Sequence, residues 1–287
     1  MIINAKGSSR HFLVLCLVVT ISVYFFGGLV GLSRLSAQSD GDESFDRVLN
    51  LYVRDGFVDY SALLRLDRAV IDRYVTGRSS RPADFGTWSL SRQMAFWLNS
   101  YNALVVQTVL DHYPIRGLSP EYPSNSIRQI PGAFDRRTHQ VAGREITLDS
   151  LEQGVLAAFG DPRVFLALGR GASGSGRLRS EVYEEMQLDE QLIAAVEEFA
   201  TEPWGVVLDQ GAQSIRVNEI VGWRRTQFIE HYAGRGWLES GRAPIERAVI
   251  NLIEPVLYPS ERAFLGENLF SVSYQPFDWH LNDLSSR

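Results

Sequence analysis

Residues 164–177 read VFLALGRGASGSGR. Gly169, Gly171 and Gly174 spell G-x-G-x-x-G, and the apolar run Val164–Leu168 before them has the length of a strand. Strand, glycine turn and helix start is the order in which a dinucleotide site is built. The stretch therefore decides between a doubly wound nucleotide-binding fold and something else. A dinucleotide unit also needs a helix opening at the last glycine and an acidic residue about 20 positions on, inside a βαβ unit. Asp189 and Glu190 stand near that distance, but the following sequence predicts no second parallel strand, so the glycines are read as a loop. Two readings of the loop remain. One is a flexible surface loop. The other is an anion site, with Arg170, Arg177 and Arg179 flanking backbone N–H groups that small residues leave accessible.

The surrounding chain alternates helices and hairpins. From Ser89 to Tyr113, the residues Met94, Trp97, Leu98, Tyr101, Leu104, Val105, Thr108 and Val109 recur at three- and four-residue steps. They predict a long central helix ended by Pro114. Phe45–Val53 predicts a helix stopped by Asp55-Gly56, and Ser61–Tyr74 predicts another. Thr138–Val141 and Glu145–Leu148 flank a hairpin turn at Ala142-Gly143-Arg144. Asp149 is the expected N-cap of a helix over 150–159. Further on, Leu188–Ala200 reads as helix and Gly205–Leu208 with Ser214–Val217 as a second hairpin. Asn218 is expected to cap a helix to Tyr232. Helices over Ile245–Ile253 and Ser260–Leu265 and a strand over Phe270–Tyr274 complete the chain. Without βαβ alternation the pattern predicts an α+β fold, predominantly helical around the one long central helix, with short antiparallel hairpins.

Composition narrows the chemistry. The 287 residues carry a formal net charge of −6 with no basic patch, which argues against a nucleic-acid partner. The only cysteine is Cys16 and the only lysine is Lys6. Everything after the N-terminus thus lacks a disulfide, a thiolate nucleophile and a Schiff-base lysine. His112, His139, His231 and His280 are too scattered for a paired-histidine metal site, so neither a metal nor a cofactor is expected. Lys6 and Arg10 precede Phe12–Leu32, a run free of charge. A basic start, an apolar core and a small-residue exit describe a secretory signal, and the run is also long enough to span a bilayer. Leu35 fits an A-x-A cleavage site poorly, which leaves cleaved signal and retained anchor as alternatives. The expected organisation is a signal or anchor over 1–37, a polar linker over 38–44 and one domain over 45–287. That domain is expected in the periplasm, free or anchored in the inner membrane facing it. A nucleotide ligand is correspondingly less expected there.

Several segments together resemble a known family: VRDGFVDYSALL (53–64), AFWLNSYNALVVQTVLDHYP (95–114), VAGREITLDSLEQGVL (141–156), DPRVFLALGR (161–170), RLRSEVY (177–183) and SVSYQPFDWHLND (271–283). They are similar to exported bacterial members of the domain-of-unknown-function family 547. The resemblance implies relatives with histidines at the positions of Gln153 and Phe165 and cysteines at those of Arg170 and Ser175. It thereby implies a thiol-hydrolase-like or metal site in the relatives that this chain has lost. The expected function is a degenerate, non-catalytic binding or structural member. The alternative is a hydrolase with a rebuilt site using Ser175 or a water near Glu152, although neither Ser173 nor Ser175 sits in a complete G-x-S-x-G elbow. A third reading makes the chain an accessory to envelope enzymes. Glu152 either orients a site or pairs with an arginine such as Arg163. Ligand-binding candidates are Arg170, Arg177, Arg179, Asn99 and Asn102, for a small anionic ligand or an envelope protein. Asn99 and Asn102, one helical turn apart, alternatively form a buried network that fixes loops. Asp278, Trp279 and Asn282 read as a C-terminal clasp.

Overall fold

The structure, a computed structural model, describes residues 41–236 and 241–286. The N-terminal basic and apolar segment, on which the signal-or-anchor reading falls, lies outside them. Among the described residues no helix is long and apolar enough to cross a membrane. One compact unit begins at Ser44. Helix α1 runs through residue 52 into a tight hairpin, β1 Val53–Arg54 and β2 Phe57–Val58. Asp55 and Gly56 turn it with φ of 49° and 81°. The expected single helix over Ser61–Tyr74 is two, α2 Tyr60–Leu66 and α3 Arg68–Arg78. Asp67 separates them at φ −131°, outside the helical region.

Ser89 caps α4, Leu90–Leu110, by accepting a hydrogen bond from the Arg92 N–H. The helix has 21 residues and is buried from Met94 to Val106. The hairpin β3 Thr138–Val141 and β4 Arg144–Thr147 has the expected turn, with Ala142 at φ 50° and Gly143 at φ 73°. Two successive positive φ angles make the turn whose twist matches paired strands. The turn's N–H groups donate to the Arg78 and Ser79 carbonyls, which fastens the hairpin to the end of α3.

Beyond this hairpin the chain departs from its expected elements. Thr147, not Asp149, caps the next helix, and the helix over 150–159 is composite. One α turn, α5 Leu148–Ser150, passes into a π-helical segment, Leu151–Leu156, and then a 3₁₀ turn. Val164–Leu168 is not a strand: Val164–Ala167 forms a one-turn helix, α6. No sheet edge precedes the glycines, which removes the nucleotide reading on geometry as well as on motif context.

The rest is α7 Leu188–Thr201, the hairpin β5 Val206–Asp209 and β6 Ser214–Asn218, α8 Glu219–Trp223, α9 Arg225–Tyr232, α10 Pro244–Ile253, α11 Pro259–Glu267 and β7 Ser271–Gln275. Asn218 caps α8 as expected, but Arg224 leaves helical geometry at φ −112° and divides α8 from α9. Strand β7 pairs with β6 in parallel, Ser214 opposite Ser271 through Asn218 opposite Gln275. The hairpins alone predict only antiparallel pairing. Among the described residues α8, α9, α10 and α11 lie between these strands, long enough for the crossover that parallel strands need. Around this frame α4 packs on α3 and on the π segment, while α10 packs on α9 and α7.

The glycine loop is not a surface loop. Gly169 to Ala172 and Gly174 to Gly176 are buried. A Cβ on Gly176 would lie 1.8 Å from the Leu166 carbonyl oxygen, and one on Gly174 would lie 2.4 Å from the Asp278 backbone nitrogen. Backbone approaches this close admit only glycine. Gly176→Ala is expected to destabilise the protein by about 3 kcal/mol or more, at the upper end of overpacking costs. Gly77→Ala, in α3 with open space around the new methyl, is expected to stabilise it by about 0.5–1 kcal/mol. Urea unfolding of the two variants measures both effects.

Candidate functional site

The π segment carries Glu152 into the interior, where the residue is 3% exposed. π-helical turns are rare and concentrate at functional sites. Arg170, 2% exposed, clamps the carboxylate with two donors, Nη2 to Oε1 at 2.7 Å and Nε to Oε2 at 3.1 Å. Arg224, at the break between α8 and α9, approaches Oε1 from another side, with Nη2 at 2.7 Å and Nε at 3.2 Å. Tyr101 on α4 donates its hydroxyl to Oε2 at 3.2 Å. Arg170 directs Nη1 to the Phe165 and Leu168 carbonyls at 3.1 and 3.4 Å. The Arg224 guanidinium lies 5.2 Å from the Phe165 ring centroid. Each charged group in this cluster has a partner, as buried charges require.

The electrostatics follow from that arrangement. Burial works against the Glu152 carboxylate, but the charges and hydrogen bonds of Arg170 and Arg224 outweigh it and hold its pKa below the ordinary value. Burial, reinforced by the Glu152 charge, pushes the Tyr101 hydroxyl well up. Asp149, three residues earlier and part-buried, is raised by burial and by Glu152, with Arg128 and Arg224 opposing. Glu152 is thus an ionised, fully engaged carboxylate with no proton to give.

Of the four positions that mark the relatives' expected site, three meet and one does not. Phe165, Arg170 and Ser175 are buried together, while Gln153 is exposed. Ser175 accepts from the Arg170 N–H at 3.0 Å and donates to the Gly176 carbonyl at 2.9 Å. Its proton is committed to a carbonyl, and no hydrogen bond joins its hydroxyl to a base. Arg177 and Arg179 do not join Arg170. Arg177 pairs with Glu202 at 3.3 Å and Arg179 with Glu181 at 2.9 Å. The loop's N–H groups are likewise engaged: Gly169 donates to Asn102 Oδ1, Ser173 to the His280 carbonyl and Gly174 to the Asp278 carbonyl. Asn99 makes two bonds to the Tyr183 backbone, donating to its carbonyl at 2.9 Å and accepting from its N–H at 2.8 Å. Arg163, expected as a partner for Glu152, pairs instead with Asp161 and Asp189.

At the C-terminus the clasp has a definite anatomy. Asn282 donates to the Gly56 carbonyl and accepts from the Tyr60 hydroxyl, and Tyr113 donates to Asp283. These bonds join Asn282 and Asp283 to the first hairpin, to the start of α2 and to the segment after α4. Among the described residues, no group of three or more His, Cys, Asp or Glu side chains is arranged to hold a metal ion. Arg224 has no signal in the sequence, since it stands 72 positions from Glu152 in a segment that reads as continuous helix.

Two expected outcomes concern pH and charge. Glu152→Gln leaves two guanidinium groups facing an amide, and removal of one buried partner typically costs about 3–5 kcal/mol. In the wild type, the Glu152 contribution is complete above its ordinary pKa of 4.5 and is lost as pH falls through the lower native value. Denaturant melts across pH 3–7 are expected to show a stability loss below about pH 4.5 that is smaller in Glu152→Gln than in the wild type. The His139 imidazole is held down to about 4 by burial and by Arg137, and its Nε2 is buried with no hydrogen-bond partner. Its unfolded value is higher, so the unfolded chain binds more protons between the two and stability rises with pH across that window. A titration of His139 followed by NMR is expected to show a midpoint near 4.

The family model described as "Protein of unknown function, DUF547" matches residues 85–200. Comparison with the curated proteins and with the solved structures finds no match. The matched stretch contains Tyr101, Glu152, Phe165, Arg170 and Ser175, while Arg224 and the C-terminal clasp lie beyond it. Residues 85–200 thus carry a DUF547 domain, whose function is unknown.

Proposed function

We propose that this chain is an exported, non-catalytic DUF547 member, in which the centre expected to hold histidines and cysteines in relatives has become a structural ion-pair core. One observation carries the reading: the Glu152 carboxylate is saturated by Arg170, Arg224 and Tyr101. A general base needs a lone pair within reach of the proton it abstracts, and a nucleophilic serine needs a base beside it. Glu152 has its charge compensated twice, and Ser175 spends its proton on the Gly176 carbonyl. Export is supported by the basic start and the uncharged Phe12–Leu32 run, whether the segment is cleaved or stays as an anchor. Its role is then to bind, either a small anionic ligand or an envelope protein.

The test compares the full chain with its Ser175→Ala variant on model thioester, ester and amide substrates. The expected outcome is turnover by both proteins no faster than in buffer. Turnover that disappears in Ser175→Ala, with far-UV circular dichroism unchanged, overturns the reading and establishes a rebuilt hydrolase.

A further inference from the structure

The arginines and amides expected to contact a ligand are turned inward or paired. A different group stands at the surface beside Arg224. Trp223, the last residue of α8, is 40% exposed. Its ring lies 4.9 Å from Phe277 and 6.0 Å from Trp279, the two indoles only 19° from parallel. Trp279 also meets Phe277 at 4.4 Å, Tyr122 at 6.0 Å and Phe134 at 6.0 Å. Five rings from four separate segments of the chain thus form one connected cluster with an indole in solvent. Its placement is fixed. Asn218 caps α8, and Gly222 lies so close to the Tyr274 ring that an added Cβ would sit 3.2 Å from it.

Polar groups border the rings. The exposed Arg128 side chain lies over them, its guanidinium 4.4 Å from the Trp279 centroid and 4.8 Å from that of Phe134. The part-buried Asp149 is tied to the cluster through its backbone N–H, which donates to the Phe134 carbonyl at 2.9 Å. We infer that Trp223, Trp279, Tyr122, Arg128 and Asp149 form a saccharide-binding platform, with a sugar ring stacked on the Trp223 indole.

Three competing ligands fit this chemistry worse. A cationic ligand seeks the negative faces of aromatic rings, but the Arg128 guanidinium over Tyr122, Phe134 and Trp279 repels it. A nucleic acid needs a basic stripe for its phosphates, whereas this chain carries a net charge of −6. A lipid chain needs a deep aliphatic groove, and this border is made of rings and charges. A sugar ring offers one apolar C–H face for the indole, and its rim of hydroxyls both donates and accepts. The Arg128 guanidinium donates only, and the Asp149 carboxylate accepts when ionised. An exposed aromatic flanked by one donor and one acceptor is complementary to that pattern. The inference goes beyond the proposed function: it names a neutral sugar, at a surface apart from the Glu152 cluster, and stands or falls independently of whether that cluster is catalytic.

The test titrates the full chain with cellotetraose and with chitotetraose, followed by calorimetry and tryptophan fluorescence. The two sugars separate a plain glucan from an N-acetylated one. Saturable binding of either is expected, weakened at least about tenfold by Trp223→Ala and several-fold by Arg128→Ala. Tyr258→Ala, at an exposed tyrosine outside the cluster, is expected to leave it unchanged. If Trp223→Ala lowers the melting temperature, the wild-type indole N–H resonance of Trp223 serves instead and is expected to shift on sugar addition. No saturation by either sugar up to about 10 mM, or equal binding by wild type and a folded Trp223→Ala, overturns the platform and leaves the non-catalytic reading standing. Turnover lost in Ser175→Ala does the reverse.

Discussion

Placing a carboxylate in a protein interior costs several kcal/mol before anything is gained. Glu152, on the π segment, meets that cost with two guanidinium groups and a phenol drawn from three other places: the glycine loop, the α8–α9 break and α4. Each place is constrained by the carboxylate it serves. The π turn aims Glu152 inward. The loop must bring Arg170 to it while the Arg170 backbone N–H is taken by Ser175. The α8–α9 break puts Arg224 where its head reaches Oε1 while its own side chain stays at the edge of the core. Removing the charge from any member leaves the others facing a low-dielectric interior, so the four segments stand or fall together.

A second set of constraints comes from amides. Asn102 holds the Gly169 N–H, Asn99 holds the Tyr183 backbone, Asn218 donates to the Gly174 and Trp204 carbonyls, and Asn282 spans Gly56 and Tyr60. Buried loop backbone must find partners, and an asparagine supplies a donor and an acceptor at one position. Much of the chain between α6 and α7 is irregular and yet buried, so its N–H and C=O groups have few strand or helix partners nearby. These side chains take the place of a ladder. The ion-pair core therefore sits in a loop region that is rigid without being regular.

How much of this the sequence disclosed depends on how local each cause is. The β3–β4 turn was legible because Ala142-Gly143 encodes it within two residues. The Asn218 cap is legible for the same reason. Val164–Leu168 was misread because a short apolar run suits a buried helix turn as well as a strand. The α8–α9 break and the parallel β6–β7 pair were missed because both are set by contacts far along the chain. The glycines read as a loop, but not as a buried one: the Leu166 carbonyl and the Asp278 backbone press on Gly176 and Gly174, and those contacts are not encoded in the local sequence. Glu152 was singled out, but neither of its arginine partners could be read, because 18 and 72 positions separate them from it.

Phe165, Arg170 and Ser175 have a physical logic as a set. A guanidinium at 170 brings five donors into the interior and is tolerable only if carboxylate and carbonyl acceptors surround it. Glu152 supplies two oxygens, and the Phe165 and Leu168 carbonyls supply the rest. A phenyl ring at 165 leaves that main-chain carbonyl free and offers its face to Arg224. The Ser175 hydroxyl is short enough to bond the loop's own backbone on both sides. Arg224 then links this interior to the surface, because the residue beside it is Trp223. The break that sends Arg224 inward to Glu152 also ends α8 with Trp223 held against Phe277 and Trp279. One backbone feature thus positions a cation of the ion-pair core and an exposed indole, and a perturbation of that core has a direct structural route to the aromatic surface.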